Sequence, residues 1–274
     1  MSHIVIVTGA ASGIGAELVR SHIADGDQVI AVDVDSAGLV ALQDRFDANW
    51  MRACSVDVRD AAAIAELVDE TVAQHGRLDI IYNNAGLGIG GKSHELDVKH
   101  WDRAIDVNLR GVVHGTIAAL PHLLRQGSGQ IVNTASLAGL IPAPGLAPYG
   151  ATKHAVVGMT LSMRVEYAAA GVGFTAVCPG FTDTPILDKE MPADLPAVPI
   201  PVSTRKMAES LPGGIYPVAA LVTDIRRGVA ANDALVVTPK AARSAWRTFR
   251  WSPGGFLRAL QNRAAKTANK FARR

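Results

Sequence analysis

Apolar residues along this chain gather in short runs, and the runs are separated by longer stretches with helical periodicity. Ile4–Val7 is an unbroken apolar run, of the kind a strand covered on both faces of a sheet requires. Gln28–Val32 repeats it, a third apolar stretch closes on Val56-Asp57-Val58, and Leu78–Tyr82, Ile131–Ser136, Gly173–Cys178 and Ala234–Val237 follow. Between these runs apolar positions recur at three- and four-residue steps. The helices predicted in this way begin with Glu17, Leu18, Val19 and Ile23, and continue with Ala37–Phe46, Ala61–Gln74, Trp101–Leu124, a helix from Tyr149 to about Ala170, and Pro217–Val229. Strands alternating with helices predict a doubly wound parallel sheet of about seven strands with helices on both faces. In such an α/β fold, ligands bind at the carboxyl ends of the strands.

The polar residues that interrupt the pattern fall at those strand ends. Ile4–Val7 leads into Thr8-Gly9-Ala10-Ala11-Ser12-Gly13-Ile14-Gly15, a glycine turn between strand and helix that lets backbone amides approach a pyrophosphate. The second strand closes on Asp33, 18 residues beyond Gly15. A carboxylate there accepts from an adenosine ribose diol and repels a 2′-phosphate, and neither Ser12 nor Val34 supplies a compensating cation, so the pattern favours NAD over NADP. Asp57 is placed to accept from an adenine amino group, and it could equally cap the helix that starts at Ala61. Asn83-Asn84-Ala85-Gly86 closes the fourth strand with side chains small enough for a backbone to meet a ligand.

Ser136 ends the fifth run, and Tyr149-Gly150-Ala151-Thr152-Lys153 follows it. Four residues apart on a helix, the Tyr149 phenol and the Lys153 ammonium can share one volume. A free phenol has a pKa of about 10; a fixed ammonium beside it favours the phenolate and brings proton transfer toward neutral pH. The Ser136 hydroxyl can then hold a substrate oxygen. Read alone, a Tyr and a Lys at this spacing describe a shared helix surface equally well. Asn108, the one amide on the apolar face of Trp101–Leu124, calls for a buried partner, either structural or as the holder of a water in a proton relay.

Taken together, Thr-Gly-x3-Gly-x-Gly at Thr8–Gly15, Asn-Asn-Ala-Gly at Asn83–Gly86, Asn108, Ser136, Tyr149-x3-Lys153 and Pro179-Gly180 resemble the short-chain dehydrogenase/reductase family over roughly residues 3–240. The resemblance implies a single-domain Rossmann-type fold and an NAD-dependent oxidoreductase acting on CH-OH groups. It assigns Tyr149 as acid/base, Ser136 as the residue orienting the substrate oxygen, Lys153 as the group lowering the tyrosine pKa and binding the nicotinamide ribose, and Asn108 as support for a water relay. It places Gly9, Ser12, Gly13, Ile14, Gly15, Asn84, Ala85 and Gly86 along the dinucleotide, with Asp33 on the ribose and Asp57 and the Val58 amide on the adenine. Pro179 and Gly180 are placed on the cofactor as well, and the Thr182 backbone and the Thr184 hydroxyl fall to the carboxamide. In oxidation the Tyr149 phenolate would take the alcohol proton as hydride leaves for NAD. The implied assembly is a homo-oligomer, dimer or tetramer, paired through the Trp101–Leu124 and Tyr149–Ala170 helices. The competing class is a dinucleotide-binding scaffold or redox sensor without turnover, which has no physical need for Tyr149, Lys153, Ser136 and Asn108 together.

Composition narrows the rest. With 49% hydrophobic and 19% charged residues in 274, the chain can bury a substantial core. Cys54 and Cys178 sit in apolar runs and make no disulfide framework, and the eight histidines are scattered, so no metal site is expected. A basic leader and an apolar run near the roughly 18 residues of a membrane span are both missing, and the expectation is a cytoplasmic protein. Residues 185–215, with Pro185, Pro192, Pro196, Pro199, Pro201 and Pro212 among Leu187, Met191, Leu195, Val198, Ile200, Met207 and Leu211, read as a lid over an apolar secondary alcohol or ketone, with Leu137–Pro148 as further wall.

Residues 1–239 form the catalytic domain in this reading, and 240–274 form an extension that the family resemblance leaves unexplained. It holds ten basic residues (Lys240, Arg243, Arg247, Arg250, Arg258, Arg263, Lys266, Lys270, Arg273, Arg274) and no acidic one, leaving 17 basic against 25 acidic elsewhere, a formal −8. Trp246, Phe249, Trp251, Phe256, Leu257, Leu260 and Phe271 interleave with these charges, and Ser252-Pro253-Gly254-Gly255 breaks them. Two basic amphipathic helices joined by a turn fit this pattern, either lying on an anionic membrane at its inner face or docked on the acidic body. No nucleic-acid-binding fold accompanies the charge, which argues against nucleic acid as the partner.

Overall fold

Strands that are apolar on both faces must be covered on both, and the observed architecture follows from that requirement. The computed structural model describes residues 2–188, 191–199, 203–211 and 213–272, with side chains to residue 265 in the last helix. Among the described residues, β1 (Ile4–Thr8), β2 (Gln28–Asp33), β3 (Met51–Ser55), β4 (Ile80–Asn83), β5 (Gly129–Thr134), β6 (Val172–Pro179) and β7 (Leu235–Thr238) form one sheet in the order β3-β2-β1-β4-β5-β6-β7. Every pairing is parallel. The helices are α1 (Gly13–Ala24), α2 (Ser36–Gln43), α3 (Ala61–His75), α4 (Val98–Ile105), α5 (Gly111–Gln126), α6 (Ala147–Glu166), α7 (Thr204–Glu209), α8 (Val218–Ala230), α9 (Lys240–Trp251) and α10 (Pro253–Ala272).

Alternate residues of each strand feed opposite cores. Val5, Val7, Ile80, Tyr82 and Val132 pack with Leu18 and Val19 of α1 and Leu221, Val222 and Ile225 of α8. Ile4, Ile6, Ile81, Ile131 and Phe174 pack with Leu67 and Val68 of α3 and Ala119, Leu120 and Leu123 of α5. The strand order reverses between β1 and β4, where the crossovers diverge and a crevice opens.

Several boundaries differ from the sequence reading for local reasons. Asp60, not Asp57, caps α3, its carboxylate accepting from the Ala62 and Ala63 amides. The expected Trp101–Leu124 helix is not one α-helix: α4 and α5 are joined by a π-helical turn at Asp106–Arg110, centred on Asn108. β5 stops at Thr134, which leaves Ser136 in the turn beyond it. The Tyr149 helix stops at Glu166, with turns to Ala170. Of the lid, a 3-10 turn at Pro185–Leu187 and α7 are ordered elements, while Ile200, Pro201 and Pro212 lie outside the described residues. The C-terminal break is narrower than expected, since Ser252 alone separates α9 from α10 and Pro253-Gly254-Gly255 opens the second helix.

One buried polar cluster fastens α1 to the sheet. The His22 ring bonds Asp27 through Nδ1 at 2.7 Å and the Tyr82 hydroxyl through Nε2 at 3.0 Å. Those partners fit a neutral imidazole donating to the carboxylate and accepting from the phenol. Burial pushes the His22 pKa down against the pull of Asp27. Burial alone would raise Asp27, but the bonds from His22 and from the His3 amide outweigh it and its pKa is lowered.

Both shifts weaken the fold in acid. The unfolded imidazole takes up a proton below about pH 6.5 and native His22 does so only at lower pH, so its contribution is complete above that value and is lost as pH falls. Asp27 adds a second loss at lower pH, as its carboxylate is titrated. Chemical denaturation is expected to show stability falling as pH is lowered from roughly 7.5 to 5.5, with His22→Gln flattening that slope. A wild-type slope that His22→Gln leaves unchanged would contradict the assignment.

Candidate active site

The site is assembled at the carboxyl edge of β1, β4, β5 and β6, and the Thr8 hydroxyl pins two of those strands together. Thr8 Oγ1 donates to the Tyr82 carbonyl and accepts from the amides of Asn84 and Ala85 at 2.9 and 3.0 Å. The Asn84 side-chain amide donates to the Thr8 carbonyl at 3.0 Å, and its oxygen accepts from the Thr134 hydroxyl. Chain ends three strands wide are thereby held in one register.

The glycine turn is as tight as a phosphate cradle needs to be. A Cβ on Gly15 would lie 2.0 Å from the Gly9 carbonyl, and one on Gly9, whose φ is +67°, would lie 2.8 Å from Ala85 Cα. No L side chain fits either place. A Cβ on Gly13 would meet Thr184 at 3.1 Å, so the end of the β6 loop borders the cradle. Ser12 stands at the N-cap of α1 without a side-chain capping bond, and Ile14 packs on the α1 core. First-turn amides at a helix start carry positive potential. A dinucleotide therefore fits this edge: the backbone is bare where a pyrophosphate would approach, and an acidic side chain stands at the next strand end. That side chain, Asp33, accepts from the Ala11 amide at 2.9 Å and from the Asp35 amide at 3.0 Å. It braces the glycine turn and stands at its rim.

The remaining expected binding residues lie along the same edge. Asp57 is gripped by its neighbour, with Arg59 Nε 2.8 Å and Nη2 2.5 Å from Oδ2, and its pKa is lowered chiefly by that hydrogen bonding. Val58 is buried against Gly111 at the start of α5, and its carbonyl bonds the His114 ring at 2.8 Å. Pro179 ends β6, the Gly180 amide donates to the Thr238 carbonyl, and Thr182 and Thr184 are buried, the Thr184 hydroxyl donating to the Thr182 carbonyl at 3.3 Å.

Tyr149, Lys153, Ser136 and Asn108 come together beside this cradle. Lys153 is only 3% exposed; its Nζ donates to the Thr134 carbonyl at 2.7 Å and lies 5.6 Å from the centroid of the Tyr149 ring. Asn108 is fully buried in the π-helical turn, and its amide bonds both the amide and the carbonyl of Leu87, at 2.8 and 3.0 Å. Gly86 lies between the two, since a Cβ there would be 3.1 Å from Asn108 Oδ1 and 3.5 Å from Lys153 Nζ. Ser136 caps the 3-10 turn Leu137–Gly139 through the Ala138 amide.

Electrostatically, the site differs from the sequence expectation in one respect. Burial raises the Tyr149 pKa, with hydrogen bonding to Ser136 pulling the other way. Burial also brings Lys153 down to about 8. The ammonium lies over the ring face and is committed to a carbonyl, so in the protein by itself its charge does not offset the desolvation of the phenol.

Sequence reasoning missed four contributors. Thr8 was only the first letter of a motif, yet a hydroxyl at the last residue of a strand was a signal that it could bond across to the next one. The Thr134 carbonyl holds Lys153, and no side-chain pattern reveals a carbonyl. Cys178, fully buried with its thiol pushed up to about 12 by burial, lies close enough to Lys153 and the Ser136 amide to feel both. Asn133 joins β5 to its neighbours, accepting from Asn83 at 2.8 Å and donating to Thr160 of α6 at 3.0 Å.

With this geometry in place, similarity to known proteins becomes informative. The short chain dehydrogenase family model matches residues 3–194. The chain is 34% identical over 250 residues, 88% of its length and 96% of the relative's, to a 2-(R)-hydroxypropyl-CoM dehydrogenase of Xanthobacter autotrophicus. It is 40% identical over 199 residues, 71% and 78% of the two chains, to a cis-4-hydroxycyclohexanecarboxylate dehydrogenase of Sinomonas cyclohexanicum. Its fold matches that of a short-chain dehydrogenase/reductase from Burkholderia phymatum solved in complex with NAD, with a TM-score of 0.83 at 29% identity, covering 92% and 94% of the two chains. A short-chain dehydrogenase from Sphingobium yanoikuyae in complex with NADPH matches with a TM-score of 0.76 at 26% identity, covering 93% and 94%. The chain belongs to the short-chain dehydrogenase/reductase family, enzymes that use a nicotinamide dinucleotide to oxidise or reduce at CH-OH groups.

Proposed function

We propose that this enzyme interconverts an apolar secondary alcohol and its ketone, using NAD(H), with Tyr149 moving the proton. The observation that carries the reading is the convergence of a buried ammonium, a phenol and a serine hydroxyl beside a backbone cradle that admits no side chain. The Gly9–Gly15 backbone, with Ser12 and Ile14, would hold the pyrophosphate. Asp33 would take the adenosine ribose, Asp57 and the Val58 amide the adenine, and Lys153 the nicotinamide ribose. Asn84, Ala85 and Gly86 would flank the ring, and Pro179, Gly180, Thr182 and Thr184 would receive the carboxamide. When bound, the dinucleotide supplies the hydride acceptor or donor.

The chain's own residues supply position and proton transfer. Ser136 holds the substrate oxygen against Tyr149 Oη, which takes the hydroxyl proton in oxidation and returns it in reduction. Ser136 hydrogen bonding favours the phenolate, and the Lys153 ammonium is the positive charge this chain contributes to the same volume. Asn108, anchored on Leu87 by both ends of its amide, would support a water that relays the proton.

Apolar walls support the substrate class. Ile186 packs against Gly88, Leu146 against Gly90, and Val198 and Leu96 against Gly91. Two relatives are named for 2-hydroxypropyl and 4-hydroxycyclohexyl groups, which supports a secondary carbinol. Residues 185–215 serve as the lid, and α4 fastens part of it, with His100 bonded to the Pro196 carbonyl at 2.9 Å and Arg103 paired with Asp194. Exposed Val98, Ile117 and Val165 on α4, α5 and α6 support pairing of these helices in a homo-oligomer; light scattering is expected to give a multiple of the chain mass, and a monomer would contradict it.

A panel of secondary alcohols assayed with NAD+ and NADP+ by nicotinamide absorbance tests the whole reading. Turnover of at least one apolar member is expected, with kcat/KM for NAD+ above that for NADP+ by at least about tenfold, or roughly 1.4 kcal/mol. Asp33→Ala should shrink that ratio. Equal use of the two cofactors by the wild type would remove Asp33 from its role, and binding of NAD without turnover of any alcohol or ketone would favour a scaffold.

A further inference from the structure

The two C-terminal helices divide the chain's charge in a way the dehydrogenase chemistry does not use. α9 is docked by one face. Ala242 is buried in the cluster that contains Cys178 and Val237, Trp246 packs on that cluster, and Arg243 donates to the Val237 carbonyl at 3.2 Å. The start of α9 also touches the site's surroundings, since a Cβ on Gly180 would meet Ala242 at 3.4 Å and one on Gly213 would meet Ala241 at 2.6 Å. α10 is held through α9, by the edge-to-face contact of Phe249 with Phe256, their centroids 5.4 Å apart. Most of its described side chains are exposed.

The outward surface is basic and apolar at once. Trp251 is 90% exposed and Leu257 41%, and Lys240, Arg247, Arg250 and Arg258 are exposed on the same two helices. Arg250 covers the Trp246 ring at 5.3 Å. The body behaves differently, for most of its arginines are taken up by its own carboxylates, as in Arg52–Glu70, Arg59–Asp57 and Arg205–Asp188. Among the described residues, Lys240, Arg247, Arg250 and Arg258 form no ion pair with a carboxylate. No helix of the described residues is long and apolar enough to cross a membrane.

We propose that α9 and α10 form a docking surface for an anionic lipid bilayer, seating Trp251 and Leu257 at the headgroup level with the unpaired arginines on lipid phosphates. Tryptophan next to cations, on a helix that cannot cross the bilayer, matches the interfacial mode of binding. A surface of one sign, with no carboxylate from Lys240 to Arg274, complements an anionic sheet of charge. A second copy of the chain would offer carboxylates that are already paired in many places. Because α9 starts just beyond β7, whose last residue Thr238 accepts from the Gly180 amide beyond β6, the bound enzyme would hold this edge of the site near the lipid. The docking itself does not depend on the dehydrogenase reading.

Vesicle flotation of the full-length protein tests the proposal, comparing phosphatidylcholine vesicles with vesicles containing phosphatidylglycerol at about 0.15 M salt. The wild type is expected to float with the anionic vesicles only and to be released at high salt. Full-length Trp251→Ser combined with Arg247→Glu and Arg258→Glu should lower the bound fraction by about tenfold or more, with circular dichroism and activity on a water-soluble alcohol unchanged. Equal flotation of wild type and variant would overturn the proposal, as would no flotation of the wild type. Loss of self-association in the variant without vesicle binding by the wild type would assign the surface to a second copy instead.

Discussion

The structure depends on a contact between backbones. Gly15 lies so close to the Gly9 carbonyl that it cannot carry a Cβ, and Gly9 in turn is kept bare by its positive φ and the backbone of Ala85. Backbone in such contact needs its polar groups satisfied, and the Thr8 hydroxyl with the Asn84 side chain does so across β1 and β4. Once these two strand ends are fixed, the reversal of strand order opens between them, and the groups that follow β4, β5 and β6 face one crevice.

A second constraint is the burial of the ionisable pair. Burial opposes charge on both members, raising the Tyr149 phenol and lowering the Lys153 ammonium to about 8. Each therefore has a neutral partner suited to its charged form, Ser136 for the phenol and the Thr134 carbonyl for the ammonium. A buried cation without a carboxylate nearby costs stability, and a polar lattice fixes the strand and helix that carry its partner and itself. That lattice runs from Thr116 of α5 through Asn83 and Asn133 to Thr160 of α6, two turns along from Lys153. α6 and the central strands are thus tied by side-chain bonds as well as by apolar packing.

The fold was legible because strands covered on both faces must be apolar without interruption, and Ile4–Val7 and Val29–Val32 are. Helix ends were harder to read, since Asp57 and Asp60 are equally good capping residues and only the path of the chain selects Asp60. The π-helical turn at Asn108 leaves no mark on the apolar periodicity of Trp101–Leu124, yet it is what turns the amide onto Leu87. Of the site, spacing and charge placed the candidates at strand ends. What they could not give was the carbonyl that holds Lys153, the reach of Thr8, or the direction of the Tyr149 shift, because each depends on burial created by distant segments. In the C-terminal extension, the charge pattern announced two helices but not that Ala242 and Trp246 would dock while Trp251 stayed exposed.

In the proposed reaction Tyr149 moves the proton, while the backbone cradle would bind the dinucleotide without it. Tyr149→Phe separates the two, because it removes one hydroxyl from a site whose glycine turn lies on other elements. Turnover and NADH affinity measured on the same preparation decide the matter. The predicted result is a fall in kcat of at least about a thousandfold, roughly 4 kcal/mol of barrier, with NADH affinity within about threefold of wild type. A variant that retains turnover within about tenfold of wild type would contradict the claim.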